Sequence, residues 1–173
     1  MKRLQIVACL GVLGIALAGC SDSMSPDDYS HAWRDAVLQY RKIDKNPDDP
    51  AATPDGNGDG SIQAHMQAAM NISAKIRAIA TSLKDLKAPD KYQELQDETY
   101  LFYRGQADDY SGYSEAMGTG NSDKVATAVD RLNGFAGEHQ QKISGIIDKI
   151  GGDPTRFKNS WNSVLKDMPP PKS

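Results

Sequence analysis

Residues 69–86 read AMNISAKIRAIATSLKDL. Within them Ala69, Ile72, Ile76, Ile79, Leu83 and Leu86 recur three and four positions apart. That period places all six on one face of an α-helix as a continuous apolar seam. A seam of this kind is stable only when buried against other helices, so the chain reads as all-α. Ser61 is placed to cap this helix, which the spacing carries to about Lys87.

The flanking segments repeat the pattern. Downstream, Pro89 opens a helix predicted to reach about Met117, with Tyr92, Leu95, Phe102, Tyr103, Tyr110 and Tyr113 as its stripe. Thr99 and Gln106 interrupt that stripe, and Gly105 and Gly112 weaken the helix. Gly118-Thr119-Gly120 breaks it, and Ser122 is expected to cap a further helix to Ile150. The seam there is Val125, Val129, Leu132, Ala136, His139, Ile143, Ile146 and Ile150, stopped by Gly151-Gly152. Asp153-Pro154 then starts a short helix carrying Phe157, Trp161, Leu165 and Met168. Upstream, Ser25, Pro26 and Asp28 form a helix start with capping-box spacing. Tyr29, Trp33, Ala36, Val37 and Tyr40 follow at helical steps, to about Lys45.

Residues 46–60 hold three prolines and three glycines and read as an irregular loop. No segment alternates with period two, so no sheet is predicted. The result is an antiparallel four-helix bundle with a short fifth C-terminal helix that caps one end or lies in a groove. The alternative, a single extended coiled coil, conflicts with Gly- and Pro-rich breaks that reverse the chain.

The N-terminus carries a different signal. Lys2 and Arg3 precede an apolar run, Ile6 to Ala18, that is short for a membrane span. Leu17-Ala18-Gly19-Cys20 follows and resembles the lipobox of bacterial lipoproteins. The resemblance implies cleavage before Cys20 and acylation of that residue, with palmitate-type chains giving stable attachment. A plain secretory signal cut after Ala16-Leu17-Ala18 is the alternative. Ser21 rather than Asp after the cysteine implies, by the same resemblance, the outer membrane. The chain then divides into a signal peptide (1–19), a lipidated cysteine and tether (20–25), a helical domain (26–168) and a Pro-rich tail (169–173). Loss of Lys2 and Arg3 leaves 18 basic against 23 acidic residues, a net charge of −5, which argues against nucleic acid as a partner. Loss of Cys9 leaves Cys20 alone, so no intrachain disulfide is expected.

Chemistry-bearing candidates are few. Asp55-Gly56-Asn57-Gly58-Asp59-Gly60-Ser61-Ile62 resembles half of a calcium loop of the EF-hand or dockerin type. Oxygen ligands would come from Asp55, Asn57, Asp59 and Ser61, with Gln63 at the ninth position, so calcium is the one candidate cofactor. The bidentate acid of the twelfth position is replaced by Met66. His139 lies on an apolar seam, where bundles hold haem or metal, with Met66, Met70 or Met117 as second ligands. No Cys-x-x-Cys-His or Glu-x-x-His accompanies it, and a hydrogen-bonded histidine is the simpler reading. His31 and His65 read as surface residues.

No nucleophile elbow, phosphate loop or His-Glu-x-x-His is present. The acids of the third helix, Glu94, Asp97, Glu98, Asp108, Asp109 and Glu115, are the candidates for a general acid–base pair, and a solvated face is the plainer account of them. Tyr100, Tyr103, Tyr110 and Tyr113 crowd one helix on more than one side, suiting either a protein-contact surface or the filling beneath the fifth helix. The expected function is a non-enzymatic, lipid-anchored envelope module that faces the periplasm and binds or scaffolds other envelope proteins. The alternatives are a calcium-binding bundle, in which the loop stabilises or gates, and a periplasmic hydrolase or small-ligand carrier.

Overall fold

The computed structural model describes residues 23–43 and 61–168. They form α1 (Pro26–Leu38), which tightens into a 3₁₀ turn at Gln39–Lys42, then α2 (Ile62–Lys84), a 3₁₀ turn at Asp90–Tyr92, α3 (Gln93–Gly118), α4 (Ser122–Lys149) and α5 (Thr155–Leu165). No strand occurs among the described residues. The molecule is an all-α bundle with a short fifth helix.

The caps set the helix starts. The Ser25 hydroxyl oxygen accepts the Asp28 amide at 3.2 Å, and Ser61 Oγ accepts the Ala64 amide at 3.1 Å. At α4 the cap is Asn121, one residue before the expected Ser122: its Oδ1 takes the amides of Asp123 and Lys124. Gly120 at φ 65° makes the preceding turn, a left-handed conformation that puts the asparagine side chain over the open helix end. The predicted helix after Pro89 begins instead as a 3₁₀ turn, and α2 ends at Lys84 rather than Lys87.

Helix directions follow from side-chain ties. Ser114 Oγ donates to Met66 O, Ser73 Oγ to Ala107 O and Gln96 Nε2 to Leu86 O, so α2 and α3 run antiparallel in one register. Tyr29 stacks on Tyr92 at 5.2 Å, Trp33 Nε1 donates to Thr99 Oγ1 at 3.3 Å, and Tyr103 OH donates to Val37 O at 3.3 Å. These pairs ascend together, so α1 runs parallel to α3. The polar break at Thr99 is therefore a cross-helix hydrogen-bonding position; at Gln106, whose side chain hydrogen-bonds Tyr40, Oε1 is buried without a partner.

All six residues of the α2 seam pack inward, Leu86 only partly. The fifth helix completes the base as an aromatic wedge. Phe157 lies 5.1–6.2 Å from the rings of Tyr29, Trp33 and Tyr92, and Trp161 meets Phe102 edge-on at 5.5 Å. Arg156 ties α5 to α1 through Asp27 and Ser30, and Arg41 reaches Asp167 at 2.7 Å. At this end all five helices enclose one core.

The other end is different. Tyr40 meets Tyr103, and α1 with its turn goes no further. Beyond Tyr110, which still neighbours Tyr40, α3 is flanked by α2 and α4 alone among the described residues. The α4 seam changes accordingly: Ile143, Ile146 and Ile147 are buried, whereas Val125 and Leu132 are half-buried and Val129 is 39% exposed. Seam position Ala136 lies outside the described side chains.

Candidate functional site

The open half of the molecule holds a cleft of about 390 Å³ between the second half of α3 and the first half of α4. Gly112 and Ala116 of α3 and Ala128 of α4 supply small walls, and Asp109, Thr127 and Arg131 supply polar groups. A side chain at Gly112 would meet nothing within 4 Å, so the cleft exists partly because glycine stands there.

Asp109 is the unusual group in this cleft. Its side chain is 12% exposed, its Oδ2 is buried without a hydrogen-bond partner, and Arg131 Nε stands 3.9 Å from Oδ1. That distance is an ion pair but too long for a hydrogen bond. Burial pushes the Asp109 carboxyl above its ordinary value, Arg131 pulls the other way, and Asp108 adds to the rise. Asp108 itself is occupied by Arg77 at 2.8 Å and by Arg104 at 3.8 Å.

A second charged cluster lies lower on the same helix pair. Glu98, with a 5% exposed side chain, takes His139 Nδ1 on Oε1 and Lys142 Nζ on Oε2, both at 2.5 Å. Burial would raise the Glu98 carboxyl, yet the hydrogen bonds from Lys142 and His139 outweigh it and hold the group below its usual value. Lys142 is raised in turn by its hydrogen bond to Glu98. A buried carboxylate with two cationic or donor partners is a structural clasp between α3 and α4.

The predicted site residues fare unevenly. Cys20, Asp55, Asn57 and Asp59 lie outside the described residues. Ser61 is a helix cap, Gln63 is exposed on the first turn of α2, and Met66 packs its methyl group toward Gly118 of α3. Tyr103 and Tyr113 are 0% and 7% exposed and are buried rather than part of a contact surface, Tyr103 beneath Val37 and Tyr40. Tyr100 and Tyr110 are half-buried. His139 is matched to Glu98, and no group of three or more His, Cys, Asp or Glu side chains gathers for a metal among the described residues. Met66, Met70 and Met117 are not brought to His139 as ligands: Met70 is 44% exposed, and Ser111 is its hydroxyl neighbour. His31, which stands 3.7 Å from Asp27, and His65 are both half-buried.

Of the six acids of α3, three are engaged by other groups, and Asp108 and Asp109 are the two that interact with each other. Asp97 accepts from Gln93, Glu98 binds His139 and Lys142, and Asp108 binds arginines. Sequence reasoning named Glu98 and Asp109 only as members of the six-acid group and did not separate them from the rest, although their seam positions were legible. Glu98 lies three residues past Leu95 and four before Phe102, and Asp109 lies three past Gln106 and four before Tyr113. Acids at seam positions signal a charged partner or a cleft.

Comparison with protein-family models, curated proteins and solved structures gives no match to this chain. No helix among the described residues is long and apolar enough to cross a membrane.

Proposed function

We propose that this protein is a lipid-anchored module of the bacterial envelope, held by Cys20 on the periplasmic side of the outer membrane, and that its helical body binds other envelope proteins without catalysing a reaction. The observation that carries the reading is the closeness of lipobox and fold. The Met24 amide donates to Lys87 O at 2.8 Å, four residues after Cys20, so the bundle starts at most about 14 Å of extended chain from the lipid. A rigid body on so short a tether is suited to presenting one surface at a set height.

The contact face is the outer side of α3. Tyr100, Leu101, Arg104 and Asp108 share that side, Leu101 is 45% exposed, and Arg104 donates to Tyr100 at 3.5 Å. An aromatic ring, an aliphatic side chain and an arginine together make the composition that protein interfaces favour.

The test uses the full chain in cells, with a photocrosslinking residue at Leu101 and, as a control, at buried Tyr103. Adducts with another envelope protein at 101 and none at 103 are expected; monomer alone at both positions sinks the proposed face. Cys20→Ala should move the protein out of the membrane fraction, and unchanged membrane association would overturn the anchor.

A further inference from the structure

We infer that the cleft between α3 and α4 is a binding site for a primary alkylammonium group, with its charge on Asp109 and its carbon chain against Gly112, Ala116 and Ala128. Three observations converge on that chemistry. First, Asp109 is a desolvated acid without adequate compensation: Oδ2 has no partner, and Arg131, 77% exposed, stands too far for a hydrogen bond. The charge of a carboxylate so placed is under-compensated, which leaves its accessible oxygen, Oδ1, open to a cation that brings a donor.

Second, the carboxylate offers one face. Oδ2 is closed to solvent, so an incoming group reaches the carboxylate at Oδ1. A guanidinium binds best through both oxygens at once, as a planar fork. An ammonium is a compact charge that needs a single oxygen, so the geometry selects an amine over an arginine-like group. Arg131, whose Nε stands off at 3.9 Å, fits the same rule.

Third, the cleft has a place for a carbon chain. Its volume of about 390 Å³ lies within the range of small-ligand pockets, and the walls at Gly112, Ala116 and Ala128 are small and apolar. The neighbouring Asp108 adds negative potential, although Arg77 and Arg104 already engage it. On the α4 side Arg131 and Lys124 oppose a cation and Asp123 favours one, so the cleft's three acids exceed its two bases by a single charge, which matches a single ammonium.

The ammonium can belong to a free amine or to a lysine side chain of a protein partner. The experiment titrates the full chain, in non-ionic detergent, with n-pentylamine and with the blocked peptide acetyl-Gly-Lys-Gly-amide, with 1-pentanol as the uncharged control. Binding is read from heat and from the amide resonances of Asp109, Gly112 and Thr127. Millimolar or tighter 1:1 binding of either charged probe, with none for 1-pentanol, is expected. Binding of both probes shows an ammonium site open to free amines, and binding of the peptide alone assigns the ammonium to a protein lysine.

Two variants separate charge from shape. Asp109→Asn keeps the side-chain outline and should weaken binding about tenfold or more, as loss of a hydrogen bond to a charged group implies. Gly112→Leu fills the cleft while leaving the Asp109 carboxyl group in place, and should abolish binding while the helical circular dichroism is unchanged. The proposal fails if neither charged probe binds at millimolar concentration, if 1-pentanol binds as well as n-pentylamine, or if Asp109→Asn binds like the wild type.

Discussion

Phe157→Ala tests whether the fifth helix locks the base of the bundle. Phe157 is 1% exposed and lies against Tyr29 and Trp33 of α1 and Tyr92 at the foot of α3, at ring separations of 5.1–6.2 Å. Removing the ring deletes the wedge between three elements and leaves a cavity whose walls are stiff aromatic rings. Truncations of this kind cost about 3–5 kcal/mol. The rigidity of the walls puts this site toward the upper part of that range. A domain of this size loses about 3 °C of melting temperature per kcal/mol, so a drop of about 9–15 °C is expected. Phe157→Leu keeps most of the volume and should cost about 1–1.5 kcal/mol, or about 3–5 °C. The assay is thermal unfolding followed by helical circular dichroism, paired with amide hydrogen exchange. Exchange should rise through α1 and α5 and stay near wild type at Ser73, Ala107 and the other positions that α2 and α3 share. A Phe157→Ala melting point within about 2 °C of the wild type would refute the wedge. A uniform rise in exchange would show instead that the two ends of the bundle are not separable.

Two buried acids on α3 should respond to pH with opposite sign. The Glu98 carboxyl is held below its ordinary 4.5, so its contribution is present above that pH and disappears as pH falls through the lowered native value. The acid limb of the melting-temperature profile should therefore flatten in Glu98→Gln. The Asp109 carboxyl is raised above 3.8, so its ionisation destabilises the fold as pH rises from that value through the native one. Asp109→Asn should accordingly raise the melting temperature at neutral pH and leave it unchanged well below pH 3.8; a loss of stability at neutral pH would contradict the burial of that carboxylate. Asn121→Ala should cost about 1 kcal/mol, because its Oδ1 holds the amides of Asp123 and Lys124, whereas Ser122→Ala should be near neutral. Equal denaturant midpoints for the two variants would mean that neither residue caps α4.

Fold class and helix order were legible because the α2 seam, the Pro26 and Pro154 starts and the glycine breaks are local signals. Each can be read within about twenty residues. The Asn121 cap was missed because Asn121 and Ser122 are both capable caps, and the choice depends on the turn at Gly120. Tyr103 and Tyr113 were misplaced for a different reason. The helical wheel shows that the tyrosines point to several sides, but α1 and α2 decide which sides are covered, and those are contacts across long stretches of chain. The same limit hid the cleft. Gly112 reads in sequence as a weak point of a helix, and its role as an open wall appears once α4 lies opposite it.

The division of labour along α3 follows from helix lengths. The base is enclosed by five helices, its aromatic rings interlock, and Glu98 clasps α4 with two hydrogen bonds at its upper edge. Helices α1 and α5 are too short to reach further, so α4 leaves their cover and rests on α3 through small side chains. Apolar burial per residue falls there, and local opening should be easiest there as well. The Met24–Lys87 backbone tie sits at the closed end. Asp109 lies 17 residues beyond Tyr92, about 25 Å along α3 by helical rise. A chain tethered at Cys20 would thus set its rigid end against the membrane and its adaptable, ligand-sized end away from it. Shortening α4 from its first turn should spare the base but remove the cleft, whereas the same loss at α5 should unfold the anchor end first.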